Sequence, residues 1–454
     1  MLFKIETFIK KQFKDIKTYG IRELFRKIYL LVKVIITFPI LIVAIVPCIL
    51  IRLISPWVII RIERFPTGNF GDFIERPTMY HCKKKLKLDI PKTKYIDFVY
   101  IDSKDKIYNK QLAKMWKKKF NFFPWYLLYP LDMSMKFLPG WQTHSIKILS
   151  SYYAKEKDID NLVEKYQPLE FTNEEKKYGK KILSKFGLKE QDKFVCLIVR
   201  DSAYQKKKIS PRYRDWSYIN FRNQNIDNYL LAAEELAKRG YYVFRMGALV
   251  EKPFNSSNQK IIDYANSSLR SDFMDIYIGA NCSFCISTGL GFDYLPYCFR
   301  KPIAYTGLVP LGDLHTYSEK NLHLVKHHIL KKEKRKLSLT EIFSHGVAFA
   351  MDSKIFEEKG IELKGNTPEE IKDLVIEIAE YTEFNKKLDF QDKELQETFK
   401  NLYVANIKRF TDASNGNYLF LHSNRSNVSF SKLHGKIRSR FGTKFLKENK
   451  DWLR

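Results

Sequence analysis

The chain has 454 residues, 45 % of them apolar, and its 79 lysines and arginines outnumber 51 aspartates and glutamates, for a formal charge of +28. Such a length and apolar content exclude a disordered chain and allow more than one core, so two domains plus accessory segments are expected. The charge points to a polyanionic partner such as anionic lipid, nucleic acid or a nucleotide-bearing substrate, and no zinc knuckle, RNP sequence or other nucleic-acid signature accompanies it, so nucleic acid is set aside.

The first informative segment is Val34 to Ile51 (VIITFPILIVAIVPCILI), an uncharged apolar run of roughly 18 residues, near the minimum for a bilayer span. Pro39 and Pro47 interrupt it. Lys10, Lys11, Lys14, Lys17, Arg22, Arg26, Lys27 and Lys33 precede it and Arg52, Arg61 and Arg64 follow, so charge asymmetry orients it only weakly. The run starts late for a signal peptide, and no small-residue cleavage site follows. A single span, a proline-kinked hairpin within one leaflet and a buried core helix all fit. The expectation is a membrane-embedded anchor on an anionic membrane surface, within a basic N-terminal segment at 1–56.

Beyond it, WVIIRIERF reads as a short buried strand and GNFGDFIERPTMYHCKKKL as a glycine turn opening into a helix. YIDFVYIDS is a second strand, and NKQLAKMWKKKF a helix with Leu112, Met115 and Trp116 on one face. FNFFPWYLLYPLDMSMKFLPGW is too irregular to place, and Glu164 to Leu188 reads as a charged bridging helix. These elements define an expected N-terminal α/β domain at 57–188, on the acceptor side once a function is assigned.

A second α/β domain is expected at 189–383. FVCLIVR is a strand, and IDNYLLAAEELAKRG a helix with Tyr229, Ala232, Ala233, Leu236 and Ala237 inward and Gly240 at its C-terminus. YYVFRMG and KIIDYA are strands, SDFMDIYIGAN a helix capped by Ser271, CSFCIST a strand, GFDYLPYCFR a helix and KPIAYTG a strand. Thr367 caps a helix with Pro368 at its first position and Ile371, Leu374, Val375 and Ile378 on its apolar face. Residues 384–454 read as a basic helical tail. Strands alternating with helices imply parallel pairing, and two Rossmann-like domains in tandem are the economical arrangement.

Six cysteines (Cys48, Cys82, Cys196, Cys282, Cys285, Cys298) lie scattered through apolar segments. Cys282 and Cys285 lack a second Cys or His pair at metal spacing, so core packing is expected, and a reducing, cytosolic compartment follows.

The polar residues directly after the strand runs carry the chemistry. In an open α/β sheet ligands bind outside the carboxyl ends of the strands. Arg200 and Arg245 both end strands, where guanidinium groups can hold phosphate oxygens. Arg222 and Asn223 precede a helix, where a cation and an amide can help its terminus hold an anion. Ser287, Thr288, Gly289 and Gly291 form a strand-to-helix turn that offers hydroxyls and free N–H groups without a P-loop pattern. Gly68 and Gly71 let a ligand approach the backbone, and Asp72 beside them is a candidate general base or, equally, a helix N-cap. His315 and His345 follow glycine-containing loops, whereas His323, His327 and His328 lie in a basic segment expected to be solvated. No D-x-D motif is visible, so a metal is not expected and arginines would carry diphosphate charge.

The run from RDSAY through NFRNQNIDNYLLAAEELAKRGYYVFRMG to ISTGLGFDYLP resembles the uncharacterised bacterial glycosyltransferases of surface-polysaccharide loci, and more distantly the heptosyltransferases and other two-domain GT-B enzymes. The resemblance implies a metal-independent GT-B-like glycosyltransferase without a cofactor. A nucleotide sugar would be its donor substrate and a lipid-linked or surface glycan its acceptor. It implies Asp72 as the catalytic base, because the Gly-Asp turn of heptosyltransferases matches Gly71-Asp72. The implied location is the inner (cytoplasmic) membrane with the catalytic body in the cytoplasm. A non-catalytic membrane-associated scaffold, or a transferase of alditol phosphate or pyruvyl groups on the same glycan, are the alternatives.

Overall fold

The computed structural model describes residues 20–103, 106–149, 158–208, 217–384, 388–423, 427–430 and 433–454. Lys10, Lys11, Lys14 and Lys17 lie outside the described residues. The protein is a mixed α/β chain with parallel sheets, divided into two compact units whose segments interleave along the sequence.

The first unit comprises Met1–Phe65, Ile90–Asp105 and Lys119–Tyr153. It opens with the helix Ile21–Leu53, which continues through both Pro39 and Pro47. The apolar run is therefore a single helix instead of a hairpin. It is not a core helix either, because only 11 % of its apolar window, Ile35–Leu53, is buried. Three parallel strands follow, β1 (Ile59–Arg64), β2 (Tyr95–Tyr100) and β3 (Asn121–Phe122), in the order β1-β2-β3. The proline-rich segment contains the helix Trp125–Met135, with Pro124 at its N-cap and Pro130 inside. Its buried Asp132 accepts the Tyr100 hydroxyl at 2.7 Å and pairs with Lys136 at 2.8 Å.

The second unit comprises Pro66–Asp89, Lys106–Lys118 and Ala154–Arg454, so the helices Phe70–Lys85 and Lys110–Lys117 belong to it and the expected 57–188 segment is shared between units. The reason is apolar burial. Phe73, Ile74, Met79 and Cys82 of the first helix are buried, that helix packs on the helix Tyr294–Cys298, and the Trp116 indole donates to the Phe73 carbonyl at 2.9 Å. The bridging helix is shorter than expected, Asn173–Ser184, because the Thr172–Glu175 capping box starts it.

The core of this unit is a parallel sheet of seven strands: β4 (Phe194–Ile198), β5 (Tyr242–Arg245), β6 (Ile261–Ile262), β7 (Cys285–Ser287), β8 (Ile303–Leu308), β9 (Asn321–Val325) and β15 (Arg440–Phe441). Their order is β15-β9-β8-β7-β4-β5-β6. All six cysteines are buried and unpaired, and Cys285 sits opposite Cys196 across β7 and β4. β9 lies between β8 and β15, so His323 is buried and stacks on Tyr305 at 5.4 Å. β10 (His327–Leu330) pairs with β11 (Arg335–Lys336) and β12 (Ile361–Lys364), and buries His327 and His328 as well. The solvated segment expected there is a pair of buried strands, because LHLVKHHIL supplies the apolar residues that a covered sheet needs.

The C-terminal 384–454 segment also departs from the expected helical tail. After the helix Phe390–Asp412 it forms the hairpin β13 (Tyr418–Phe420) and β14 (Val428–Phe430) and then supplies β15 to the sheet. Gln396 fixes β15 through both halves of its amide, accepting from the Phe441 N–H at 3.0 Å and donating to its carbonyl at 2.7 Å. All of these atoms are buried. Gln396→Ala leaves two buried backbone groups unpaired and should cost roughly 2–4 kcal/mol. The urea midpoint reads this directly, and an unchanged midpoint would place the tail outside the cooperative fold.

Candidate functional site

From β4 the chain winds outward through β5 and β6, then returns to the other side of β4 as β7 and continues through β8 and β9. The winding reverses between β4 and β7, which leaves a crevice at their carboxyl ends. Arg200 follows β4, and Thr288 and Gly289 follow β7. The two ends are joined by the Arg200 backbone N–H, which donates to Thr288 Oγ1 at 2.9 Å.

The turn after β7 is built on Asp293. One carboxylate oxygen accepts the Ser287 hydroxyl and the other the Leu290 N–H at 2.6 Å, while Ser287 Oγ accepts the Gly289 N–H at 3.2 Å. Gly289 has φ +76°, and a Cβ there would come within 2.8 Å of Leu308. Opposite the turn, the first turn of the Phe70–Lys85 helix comes so close that a Cβ on Gly71 would lie 3.1 Å from Gly291 Cα. Glycine facing glycine lets the two backbones approach without crowding a Cβ.

These elements enclose a cavity of about 350 Å³. Arg200, Arg222, Asp72, Glu75, Asp313 and His315 form its ionic wall, and Gly71, Gly289, Gly291 and Tyr294 also line it. Met351, Phe420, Val428, Phe430 and Leu433 make an apolar wall. Among the described residues, Nε and Nη2 of Arg200 are buried without a hydrogen-bond partner. Burial first and the neighbouring positive Arg222 second push the Arg200 pKa down to about 9. Arg222 donates to the Gly289 carbonyl; burial works against its charge, and Asp313 and Asp293 favour it. His315 Nδ1 lies 2.8 Å from the Tyr317 hydroxyl.

Asp72 stands at the cavity edge. Asn69, not Asp72, caps the helix: its side chain accepts the Asp72 N–H at 2.8 Å and donates to Asp72 Oδ2 at 2.7 Å. The same Oδ2 lies 3.2 Å from Arg76.

The structure therefore brings together Gly71, Asp72, Arg200, Arg222 and Gly289. It leaves the other expected residues outside that group. Arg245 is 1 % exposed and lies in an internal network, bonded to Asp263 at 3.1 Å and to the Lys252 carbonyl at 3.2 Å. β5 is one strand away from the reversal, so its end faces the loop leading to β6 and not the crevice. Ser287 and Thr288 are buried and frame the turn instead of presenting hydroxyls to the cavity. Asn223 bonds to Asn220, and its carbonyl accepts from the buried Lys326 at 2.7 Å. A Cβ on Gly68 would meet nothing within 4 Å, so its backbone has no close neighbour there. His345 closes its own helix by bonding to the Glu341 carbonyl at 2.8 Å. Among the described residues no group of three His, Cys, Asp or Glu side chains is placed to hold a metal ion.

Asp293 and the β13–β14 wall were not expected. Asp293 had a signal, a carboxylate two residues after the Ser-Thr-Gly-Leu-Gly turn. The hairpin's signal in the sequence is the short apolar pair YLFL and VSF around a Ser/Asn-rich stretch.

No family model matches the chain, and no curated protein matches it. Among solved structures it is similar to the glycosyl transferase family 9 protein of Veillonella parvula, at 13 % identity over 55 % of this chain and 80 % of that one, with a TM-score of 0.30. It is also similar to E. coli ADP-heptose LPS heptosyltransferase II, at 12 % identity over 54 % and 84 % of the two chains, with a TM-score of 0.30. A third is E. coli heptosyltransferase WaaC with ADP-2-deoxy-2-fluoro heptose, at 12 % identity over 54 % and 88 %, with a TM-score of 0.24.

Burial pushes the Asp293 carboxyl up to about 7 against the hydrogen bonds from Ser287 and Leu290. The fold then binds this proton more tightly than the unfolded chain, in which an aspartate titrates near 4. Its contribution to stability is full below about pH 4 and is lost as pH rises to about 7. The stability difference between wild type and Asp293→Asn should fall across that window and level off above it. Unfolding curves at several pH values check this, and a difference that is flat or rises there contradicts it.

Proposed function

We propose that this cavity binds the diphosphate of a nucleotide sugar at Arg200 and Arg222, and that the protein transfers the sugar to a hydroxyl of a lipid-linked or surface glycan. The observation that carries the reading is the Arg200 guanidinium. It is partly buried beside a second arginine, with two shielded nitrogens that have no hydrogen-bond partner among the described residues, at the reversal point of a parallel sheet. A buried cation with unmade hydrogen bonds is costly, and an anion with several acceptor oxygens removes the penalty. A diphosphate matches two adjacent guanidinium groups, and the charge that develops on it as a leaving group would meet preorganised cations. The sequence resemblance to transferases of surface-polysaccharide loci supports the same class, with the body facing the cytoplasm where nucleotide sugars are made.

In this mechanism Asp72 takes the proton of the acceptor hydroxyl as its oxygen attacks the anomeric carbon. The bond from that carbon to the diphosphate breaks, and the electron pair leaves with the nucleotide. Arg76 and Asn69 hold the carboxylate at the cavity edge through Oδ2. Arginines carry the diphosphate charge, so the proposal needs neither a metal nor an organic cofactor.

Titration with ADP, GDP, UDP and CMP tests donor binding. A charge-assisted hydrogen bond contributes about 1.5–3 kcal/mol, so Arg200→Met should weaken the preferred nucleotide about ten- to a hundredfold. Stability should hold or rise, because a partly buried charge without an ion-pair partner among the described residues is removed. Equal nucleotide affinity in the variant would end the assignment.

Asp72→Asn separates chemistry from helix support, since an amide keeps the bond to Asn69 but cannot take a proton. Turnover should fall about 10²–10⁴-fold with nucleotide affinity unchanged. Near-normal turnover would move the base elsewhere on the ionic wall.

A further inference from the structure

We infer that the first unit docks onto one leaflet of an anionic bilayer through a joint surface of the helices Ile21–Leu53 and Trp125–Met135, and does not cross the membrane. The apolar window of the long helix is Ile35–Leu53, and Val43, Val46 and Leu50 within it are exposed. The same window is where the second helix is fastened. Ser134 Oγ donates to the Leu41 carbonyl at 2.7 Å, Cys48 Sγ to the Leu131 carbonyl at 3.4 Å, and the Arg52 guanidinium to the Pro139 carbonyl in the following turn.

A helix crossing the bilayer along this window would carry Trp125–Met135 and its turn to bilayer depth. That passenger includes the Asp132–Lys136 ion pair and an irregular backbone at Pro139-Gly140, neither of which lipid tolerates. Lying along one leaflet avoids both. The second helix also opens on three exposed apolar or aromatic residues, Trp125, Tyr126 and Leu127, and Phe137 follows it at 71 % exposure. Trp57, just past the long helix, is 74 % exposed. Tryptophan and tyrosine favour the boundary between head groups and acyl chains, as expected of an interfacial surface.

Charge selects lipid over a second protein as the occupant. Lys10, Lys11, Lys14 and Lys17 precede the window in sequence, and the chain carries +28 overall. Such a chain is drawn to anionic head groups, whereas two copies would repel each other.

Flotation of the full chain with vesicles tests the surface, and tag accessibility tests the topology. The wild type should float with phosphatidylcholine vesicles containing phosphatidylglycerol and less with phosphatidylcholine alone. Tyr126→Asp combined with Leu127→Asp should float severalfold less with nucleotide affinity unchanged, which keeps this surface separate from the Arg200 site. Protease added to sealed vesicles should remove both an N-terminal and a C-terminal tag from the wild type. A protected N-terminal tag means a span and overturns the inference, whatever the variant does. Flotation unchanged in the double variant also overturns it, as does a detergent-free dimer that the variant converts to monomer without altering flotation.

Discussion

The reversal of winding between β4 and β7 is the constraint from which the cavity follows. Two adjacent parallel strands whose chains leave in opposite directions cannot both have a helix covering their carboxyl ends, and the gap must be closed by polar backbone and side chains. Here the Arg200 N–H to Thr288 Oγ1 bond ties the two ends together. The turn after β7 keeps its shape because Asp293 accepts from both Ser287 and Leu290. The glycine contact between Gly71 and Gly291 then brings the start of the Phe70–Lys85 helix, and Asp72 with it, to the same gap. Thr288, Asp293 and the two glycines build the site without needing to touch a ligand.

Arg200 and Arg245 show how one sequence pattern yields two opposite outcomes. Each follows an apolar strand of the same sheet; Arg245 is fully buried, and Arg200 is partly buried with its Nε and Nη2 shielded from solvent. Arg245 meets Asp263, eighteen positions later, and the Lys252 carbonyl through both terminal nitrogens, so its charge is answered within the fold even though its Nε has no hydrogen-bond partner among the described residues. Arg200 meets Arg222, another cation, and two of its nitrogens have no partner among the described residues. A buried pair adds little net stability, whereas a buried unpaired cation costs several kcal/mol and persists where something outside the chain answers it. That energetic contrast, rather than position at a strand end, makes Arg200 the ligand-binding candidate.

The parallel strands of the second unit were readable because their apolar runs are short and end abruptly in polar residues. The helices beginning near Asp272 and Pro368 were readable because Ser271 and Thr367 cap them. Partner identity was not readable. Nothing local separates Arg245 from Arg200, since Asp263 arrives on another strand's loop. The basic look of LHLVKHHIL concealed two buried strands, because flanking lysines say little about a residue whose neighbours are chosen by sheet order. The helix Trp125–Met135 was hidden by Pro124 and Pro130 and by apolar residues on nearly every face, which erases the 3.6-residue period. That loss of periodicity has a physical meaning if one face meets protein and another meets lipid.

The apolar wall contributed by β13 and β14 changes what the cavity can select. Arginines alone hold any phosphate, with little preference for what the phosphate is attached to. Phe420, Val428 and Phe430 line the same cavity as Arg200 and Arg222, so the remainder of a phosphorylated ligand bound as proposed would meet a surface that excludes water. Excluding water lowers the local dielectric and strengthens the arginine–anion attraction, so the two walls act together. The wall comes from the C-terminal segment, whose β15 is bound into the same sheet that carries the arginines. Anchoring the segment by Gln396 at β15 therefore also fixes the support from which the hairpin projects. In the proposed reading, a site for phosphate charge is thereby joined to a surface that would discriminate among phosphorylated ligands by shape and apolar area.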